Sequence, residues 1–221
     1  MTTIAVVGAG NGLGAAVARR FGAEGFAVAL VSRTLAHVEE LAAGLRSGGT
    51  AASGFEADVR DTASLTVALR AAHEELGPVE VLQYSPIPAQ NYLRAVGETT
   101  SADLAEAVAF SVVGLATSVE AVLPGMRALG RGSILLVNGG SAVRPRLAVT
   151  GTSVAFAAES TYGALLHEGL AADGVHVGQL IVPGAITPGH PTHDPEVLAT
   201  RLWSMHAGRE RFREFAEAMD S

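Results

Sequence analysis

An apolar run at residues 4–7 passes directly into Gly8-Ala9-Gly10-Asn11-Gly12-Leu13-Gly14. The chain then continues in helical spacing, with Leu13, Val17 and Phe21 on one face and Arg19 and Arg20 on the other. Few architectures accommodate that order. Glycines at the end of a strand let the backbone turn within a few residues and approach a charged ligand closely. The helix that follows presents unpaired amides and the positive end of its dipole to that ligand. The stretch therefore predicts a strand, turn and helix that together hold the pyrophosphate of a dinucleotide.

The rest of the chain repeats the alternation. Apolar segments of strand length lie at 27–31, 51–55, 79–83, 133–137 and 175–182, separated by helical patterns near 12–23, 35–46, 62–75, 102–123 and 153–172. Such alternation predicts an α/β fold: a Rossmann-type, doubly wound parallel sheet with helices on both faces. A length of 221 residues without internal repeat or low-complexity linker suits a single domain over 1–221. Its last part, 185–221, reads as a substrate loop rich in proline and histidine, Pro188 to Pro195. A terminal helix follows from Pro195 to about Met219.

Composition removes several chemistries. With no cysteine, disulfides, thiolate catalysis and cysteine-ligated zinc are excluded. A net charge of −7 without a basic run argues against a nucleic-acid partner and for a small-molecule substrate. The apolar runs, such as 134–137, are too short to cross a bilayer, and residues 1–3 lead straight into the first strand. The expectation is a soluble, cytoplasmic protein. All fifteen residues counted as Lys plus Arg are arginine, so the chain has no lysine.

Gly8, Gly12 and Gly14 match the Gly-x-x-x-Gly-x-Gly turn of the short-chain dehydrogenase/reductase family, which the chain resembles over nearly its whole length. Asp58-Val59 stands where that family places an aspartate on the adenine ring, and Pro183-Gly184 where it has a turn beside the nicotinamide. The segments 123–126 and 132–134 are further landmarks. The resemblance implies a nucleotide site built from Gly8, Asn11, Gly12, Leu13 and Gly14, then Ser32 and Arg33, Asp58 and Val59. It continues through Tyr84, Ser85 and Pro86, and ends at Pro183, Gly184 and Thr187. At the end of the second strand, where an acidic residue selects NAD(H) through the ribose 2′-hydroxyl, the sequence is Val31-Ser32-Arg33. A guanidinium there pairs with a 2′-phosphate, so NADP(H) is favoured over NAD(H). Asn11 departs from NADP-binding relatives, which carry a basic residue just before the second glycine.

The family's chemistry rests on a Tyr-x-x-x-Lys pair, a serine about thirteen residues earlier and often an asparagine. A chain without lysine cannot contain that pair. Counting back from Gly174 places Thr152 at the tyrosine, Phe156 at the lysine and Gly139 at the serine, with Ser111 at the asparagine. Ser141 is a displaced substitute for the serine. His190 and His193, in the loop after Pro183-Gly184, are the best replacement acids, since imidazole exchanges protons near neutral pH. Glu159 shares a helical stripe with Thr152 and Phe156 and reads either as an acid of raised pKa or, preferably, as a solvent or subunit contact. Tyr84 lines the cofactor groove in this reading, and Arg144 and Arg146 flank the substrate mouth. A metal site at His190, His193 and Asp194 lacks a further ligand, so no metal is expected.

Three functions remain open at this point. The first is an NADP(H)-dependent oxidoreductase acting on a small carbonyl or alcohol by a non-standard arrangement. The second is a non-catalytic NADP(H) sensor or scaffold. The third is a non-redox isomerase, dehydratase or cyclase using the histidine loop. Family analogy adds a homo-oligomer, with the small-residue run at 155–158 compatible with close packing.

Overall fold

The structure, a computed structural model, describes residues 1–219. Seven parallel strands form one sheet: β1 Thr3–Val7, β2 Ala27–Ser32, β3 Ala52–Glu56, β4 Val79–Tyr84, β5 Gly132–Gly139, β6 Val175–Val182 and β7 Arg213–Phe215. Their order is β3-β2-β1-β4-β5-β6-β7. β1, β4 and β6 are buried along their whole length, as strands covered on both faces must be. One face packs α1 Leu13–Ala23, α2 Leu35–Ser47 and α7 Pro195–Gly208 around Val6, Leu30, Phe21, Leu180 and Leu202. The other packs α3 Thr62–Leu76, α5 Gly114–Leu129 and α6 Thr150–Gly169 around Leu65, Leu69, Leu115, Val119 and Ala155.

The long helical pattern near 102–123 is one continuous rod in three parts: α4 Ser101–Val108, a π-helical segment Ala109–Val113, and α5. It starts at a capping box in which Thr100 and Asp103 exchange hydrogen bonds. Within the π turn the Gly114 amide donates to the Ala109 carbonyl, and the Phe110 carbonyl accepts the Tyr84 hydroxyl at 2.5 Å. The rod from 101 to 129 is long and apolar enough to cross a membrane, with a mean hydropathy of 1.7 in its most apolar window. It packs as a core helix: Leu115, Val119, Val122 and Met126 are all buried against the sheet and α3.

The C-terminal segment corrects the sequence reading. The helix expected to reach about Met219 stops at Gly208, where Arg209 takes a left-handed conformation with φ 52°. The chain then turns back as β7 and pairs with β6, the Gln179 amide donating to Phe212 O at 2.5 Å and the Ala216 amide to Ile181 O at 2.8 Å. The helical spacing of Leu198, Leu202 and Met205 ends with the helix, and Phe212 instead packs on the α6 side of the core.

The order places β1 between β2 and β4, so the chains leaving β1 and β4 diverge to opposite faces and open a crevice at their C-terminal ends. Its walls are pinned by the Gly8 and Ala9 amides, both bonded to Val31 O at 3.0 Å, and by the Ser85 amide on Val7 O at 3.1 Å.

Candidate functional site

The crevice holds two adjoining cavities of about 310 and 610 Å³ that share Gly8, Gly10 and the Pro86-Ile87-Pro88 wall. The glycines divide by what surrounds them. A Cβ on Gly8, at φ +89°, would lie 2.5 Å from the Pro86 Cα, and one on Gly14 would lie 2.9 Å from the Ala9 Cα. These two let backbone pass backbone. Gly10 and Gly12 have nothing within 4 Å of that position, and both line the cavity. A cradle that a side chain would fill, facing the start of α1, fits the pyrophosphate of a dinucleotide.

The smaller cavity lies beyond the end of β2, lined by Ser32, Arg33, Asp58, Val59, Arg60 and Tyr92. Arg33 is exposed there, and no acidic side chain follows β2 directly. Asp58 does not wait free for a ligand. It accepts from the Arg60 amide, Nε and Nη2 at 2.9, 3.1 and 2.7 Å, and this pairing holds its carboxyl below the usual value. Arg60 and Tyr92 were not singled out by sequence. Arg60 follows Asp58 by two residues, a signal within reach, whereas Tyr92 arrives from a 3-10 turn, Gln90–Leu93, with no local mark.

In the larger cavity, Val137, Phe156, Val182, Ile186 and Pro188 form an apolar wall. The four proposed catalytic residues are not on it. Thr152 is buried in the first turn of α6 and its hydroxyl donates to Val149 O at 3.2 Å. Ser141 is buried in the turn Gly140–Ala142 behind Gly139, which does face the cavity. His190 and His193 stack on each other, ring centres 4.5 Å apart and planes 14° from parallel. The Nδ1 of His190 accepts the Thr192 and His193 amides at 3.2 and 3.0 Å, so the pair folds its own loop instead of facing the cavity.

Glu217 adds a third donor to these histidines, the three ligand atoms lying within 4.8 Å of one another. The sequence reading missed it because it follows β7. Stacked rings, however, aim their in-plane lone pairs side by side, and an Nδ1 that accepts two amides leaves the proton on Nε2. The cluster does not converge on an ion.

Further expectations change as well. Tyr84 lies outside the groove, 1% exposed, with its hydroxyl spent on the π turn and burial pushing its pKa up. Ser85 and Pro86 do line the cavity, as do Asn11, Leu13 and Gly184. Pro183 instead packs on Gly140, and the Thr187 amide donates to His193 O at 3.1 Å. Arg146 is exposed and bonds Ser153 through its main chain.

Glu159 is no solvent contact. It is 2% exposed inside α6, bonded to the Ser111 hydroxyl and to Asn138 Nδ2, the latter at 3.0 Å. From Asn138 the network runs to Gln179 Nε2 at 2.8 Å, and from Gln179 Oε1 to Ser160 Oγ at 2.9 Å. Arg213 on β7 closes it, reaching Gln179 Oε1 at 2.9 Å and Ser160 Oγ at 2.6 Å. Burial pushes the Glu159 carboxyl up to about 7, against the pull of the Ser111 and Asn138 hydrogen bonds. Ser111 thus serves an internal carboxyl instead of the cavity.

The short chain dehydrogenase sequence profile matches residues 2–194. The chain belongs to the short-chain dehydrogenase/reductase family. Within it, the chain is 33% identical over 221 residues to 2-(S)-hydroxypropyl-CoM dehydrogenase 3 of Xanthobacter autotrophicus, covering 93% of this chain and 82% of that one. It is 31% identical over 214 residues to glycine betaine reductase ATRR of Emericella nidulans, covering 96% of this chain but only 16% of that much longer protein. The fold recurs in a short-chain dehydrogenase from Rhodopseudomonas palustris, with TM-score 0.85, 22% identity and 99% of both chains covered. It recurs also in a metagenomic short-chain oxidoreductase in complex with NADP, with TM-score 0.82, 17% identity and 97% and 93% of the two chains covered. The family is one of oxidoreductases that use nicotinamide cofactors. This member keeps open glycine positions at the start of α1, and its sequence contains no lysine.

Proposed function

We propose that this chain binds NADP(H) in the crevice and acts as an oxidoreductase on a small carbonyl or alcohol by a non-standard proton-transfer arrangement. The carrying observation is the cradle at Gly10 and Gly12 running into a cavity edged by Arg33, with Asp58 already neutralised by Arg60. Arg33 holds the 2′-phosphate, the first amides of α1 hold the pyrophosphate, and Pro86, Val137 and Phe156 keep water from the far end. A bound nicotinamide supplies the hydride; the protein supplies orientation and a dry wall.

Calorimetric titration tests this. NADPH is expected to bind at least about tenfold more tightly than NADH, a difference of about 1.4 kcal/mol. Arg33→Ala is expected to abolish most of that preference while leaving NADH binding unchanged. Equal affinity for the two cofactors would remove the Arg33 assignment.

A second reading, an NADP(H)-responsive protein without turnover, is favoured by Phe156 and Thr152 standing where the proton-transfer pair belongs. NADPH that binds but is not consumed with a broad panel of carbonyls would select it. The non-redox alternative has less support, because neither histidine on which it rested lines either cavity of the crevice. We further propose a homo-oligomer packed through the outer side of α6, where Val154 and Ala158 are exposed. The molar mass from light scattering decides that point.

A further inference from the structure

We propose that ligand binding in the crevice is coupled to a proton on Glu159 behind its wall, so that an anionic nucleotide entering the larger cavity promotes proton uptake there and binds more weakly in alkaline medium. The inference rests on the NADP(H) reading above and adds to it a regulation by pH. Two residues of the cavity wall lead to this carboxyl. Asn138, at the end of β5, lines the cavity and donates its Nδ2 to Glu159 Oε1 at 3.0 Å. Phe156 also lines it and precedes Glu159 by three residues on α6, one turn away on the same stripe. Glu159 itself is 2% exposed, so its carboxyl stands behind the wall and not on it.

The groups that face the carboxyl leave its charge uncompensated. The π turn brings the Ser111 hydroxyl and β5 the Asn138 amide, both neutral donors. From β4 comes Tyr84, whose hydroxyl donates to Phe110 O and whose ionisation is opposed by burial and by Glu159. From β6 comes Gln179, bonded to Asn138. Arg213 on β7 is the cation of this network, and its hydrogen bonds there go to Gln179 Oε1 and Ser160 Oγ, both neutral. Burial therefore governs, and the carboxyl keeps its proton up to about 7. A nucleotide seated against Asn138 and Phe156 displaces water from the wall and brings the negative charge of its phosphates. Both changes oppose the carboxylate and not the acid, so the complex holds the proton to a higher pH than the free protein does. Affinity is constant while both states are protonated. It then falls by up to about tenfold per pH unit above 7, and levels off once both have lost the proton.

The test is calorimetric titration of the full chain with NADPH at pH 5.5, 7.5 and 9, each in two buffers of different ionisation heat, so that the protons taken up are counted. Glu159→Gln fixes the neutral form and leaves the titration of the ligand unchanged. Against it, the wild type is expected to bind equally at pH 5.5 and at least about fivefold more weakly at pH 9, and to take up more protons at pH 7.5. Ser111 lines neither cavity, and its bond favours the carboxylate, so Ser111→Ala is expected to move the midpoint of the loss to higher pH. A wild type and Glu159→Gln that differ by one factor at every pH, or take up equal numbers of protons, would overturn the inference and leave the NADP(H) reading standing. A midpoint that Ser111→Ala leaves in place would overturn it too. No uptake by the wild type at pH 7.5 would do so without reference to either variant. Failure of NADPH to bind at any pH would overturn the NADP(H) reading itself, and the inference with it.

Discussion

Glu159→Gln is expected to stabilise the protein by about 3 kcal/mol at pH 9 and by almost nothing at pH 4. The reason is the proton. Inside α6 the carboxyl holds its proton up to about pH 7, whereas in the unfolded chain it releases it near 4.5. The folded state therefore binds the proton more tightly, and the stability this contributes is fully present below 4.5. It is lost as pH rises through 7, at about 1.4 kcal/mol per pH unit between the two values. Glutamine reproduces the protonated form: its Nε2 donates to Ser111 and its Oε1 accepts from Asn138, with nothing to titrate. Urea unfolding of both proteins at pH 4, 6 and 9 reads the difference directly. A gap that stays flat with pH would refute the buried-carboxyl account. Glu159→Ala, by contrast, removes the acceptor of the Asn138 amide and leaves a cavity in the core, and is expected to cost about 3 kcal/mol or more even at pH 4.

Gly8→Ala carries the second large effect. At φ +89° an alanine is strained by about 1–3 kcal/mol before any contact is considered. Its methyl carbon would also sit 2.5 Å from Pro86 Cα and 2.8 Å from the Ser85 carbonyl carbon, both backbone atoms that cannot swing aside. The β1 and β4 walls must part, so a loss of at least about 3 kcal/mol and of measurable nucleotide binding is expected. Gly10→Ala is the complementary case. Its methyl group enters the open cradle, so the fold keeps its stability to within about 0.5 kcal/mol while NADPH affinity falls tenfold or more. Thermal unfolding and calorimetry on the same two samples decide the matter. A Gly10→Ala protein that binds NADPH normally would mean that the ligand lies elsewhere.

The glycine turn, the parallel sheet and the helix order were legible because each depends on neighbours within a few residues: an apolar run, a breaker, a helical repeat. What was not legible depends on residues far apart. Glu159 reads as a surface charge until its partners, Ser111 and Asn138, arrive from a π turn and a strand 48 and 21 residues away. Tyr84 reads as a groove residue because it ends β4 beside the crevice. In a strand buried on both faces, though, alternation does not tell which face a side chain takes, and this one points to the Phe110 carbonyl. The histidine loop fails for another reason: nothing local indicates that one imidazole accepts its neighbours' amides. The glycine cradle is thus a matter of local turns, and the buried Glu159 network a matter of long-range packing.

β7 is three residues long and meets β6 only at Gln179, Leu180 and Ile181. β6 is eight residues, wholly buried, and carries no lysine, arginine, aspartate or glutamate. A strand of that kind left at the margin of a sheet is a template for another chain's backbone, and charge on the strand, the usual deterrent, is missing here. The brief return of the chain after α7 is therefore a guard against aggregation, and a protein shortened at residue 209 would meet its own copies strand to strand.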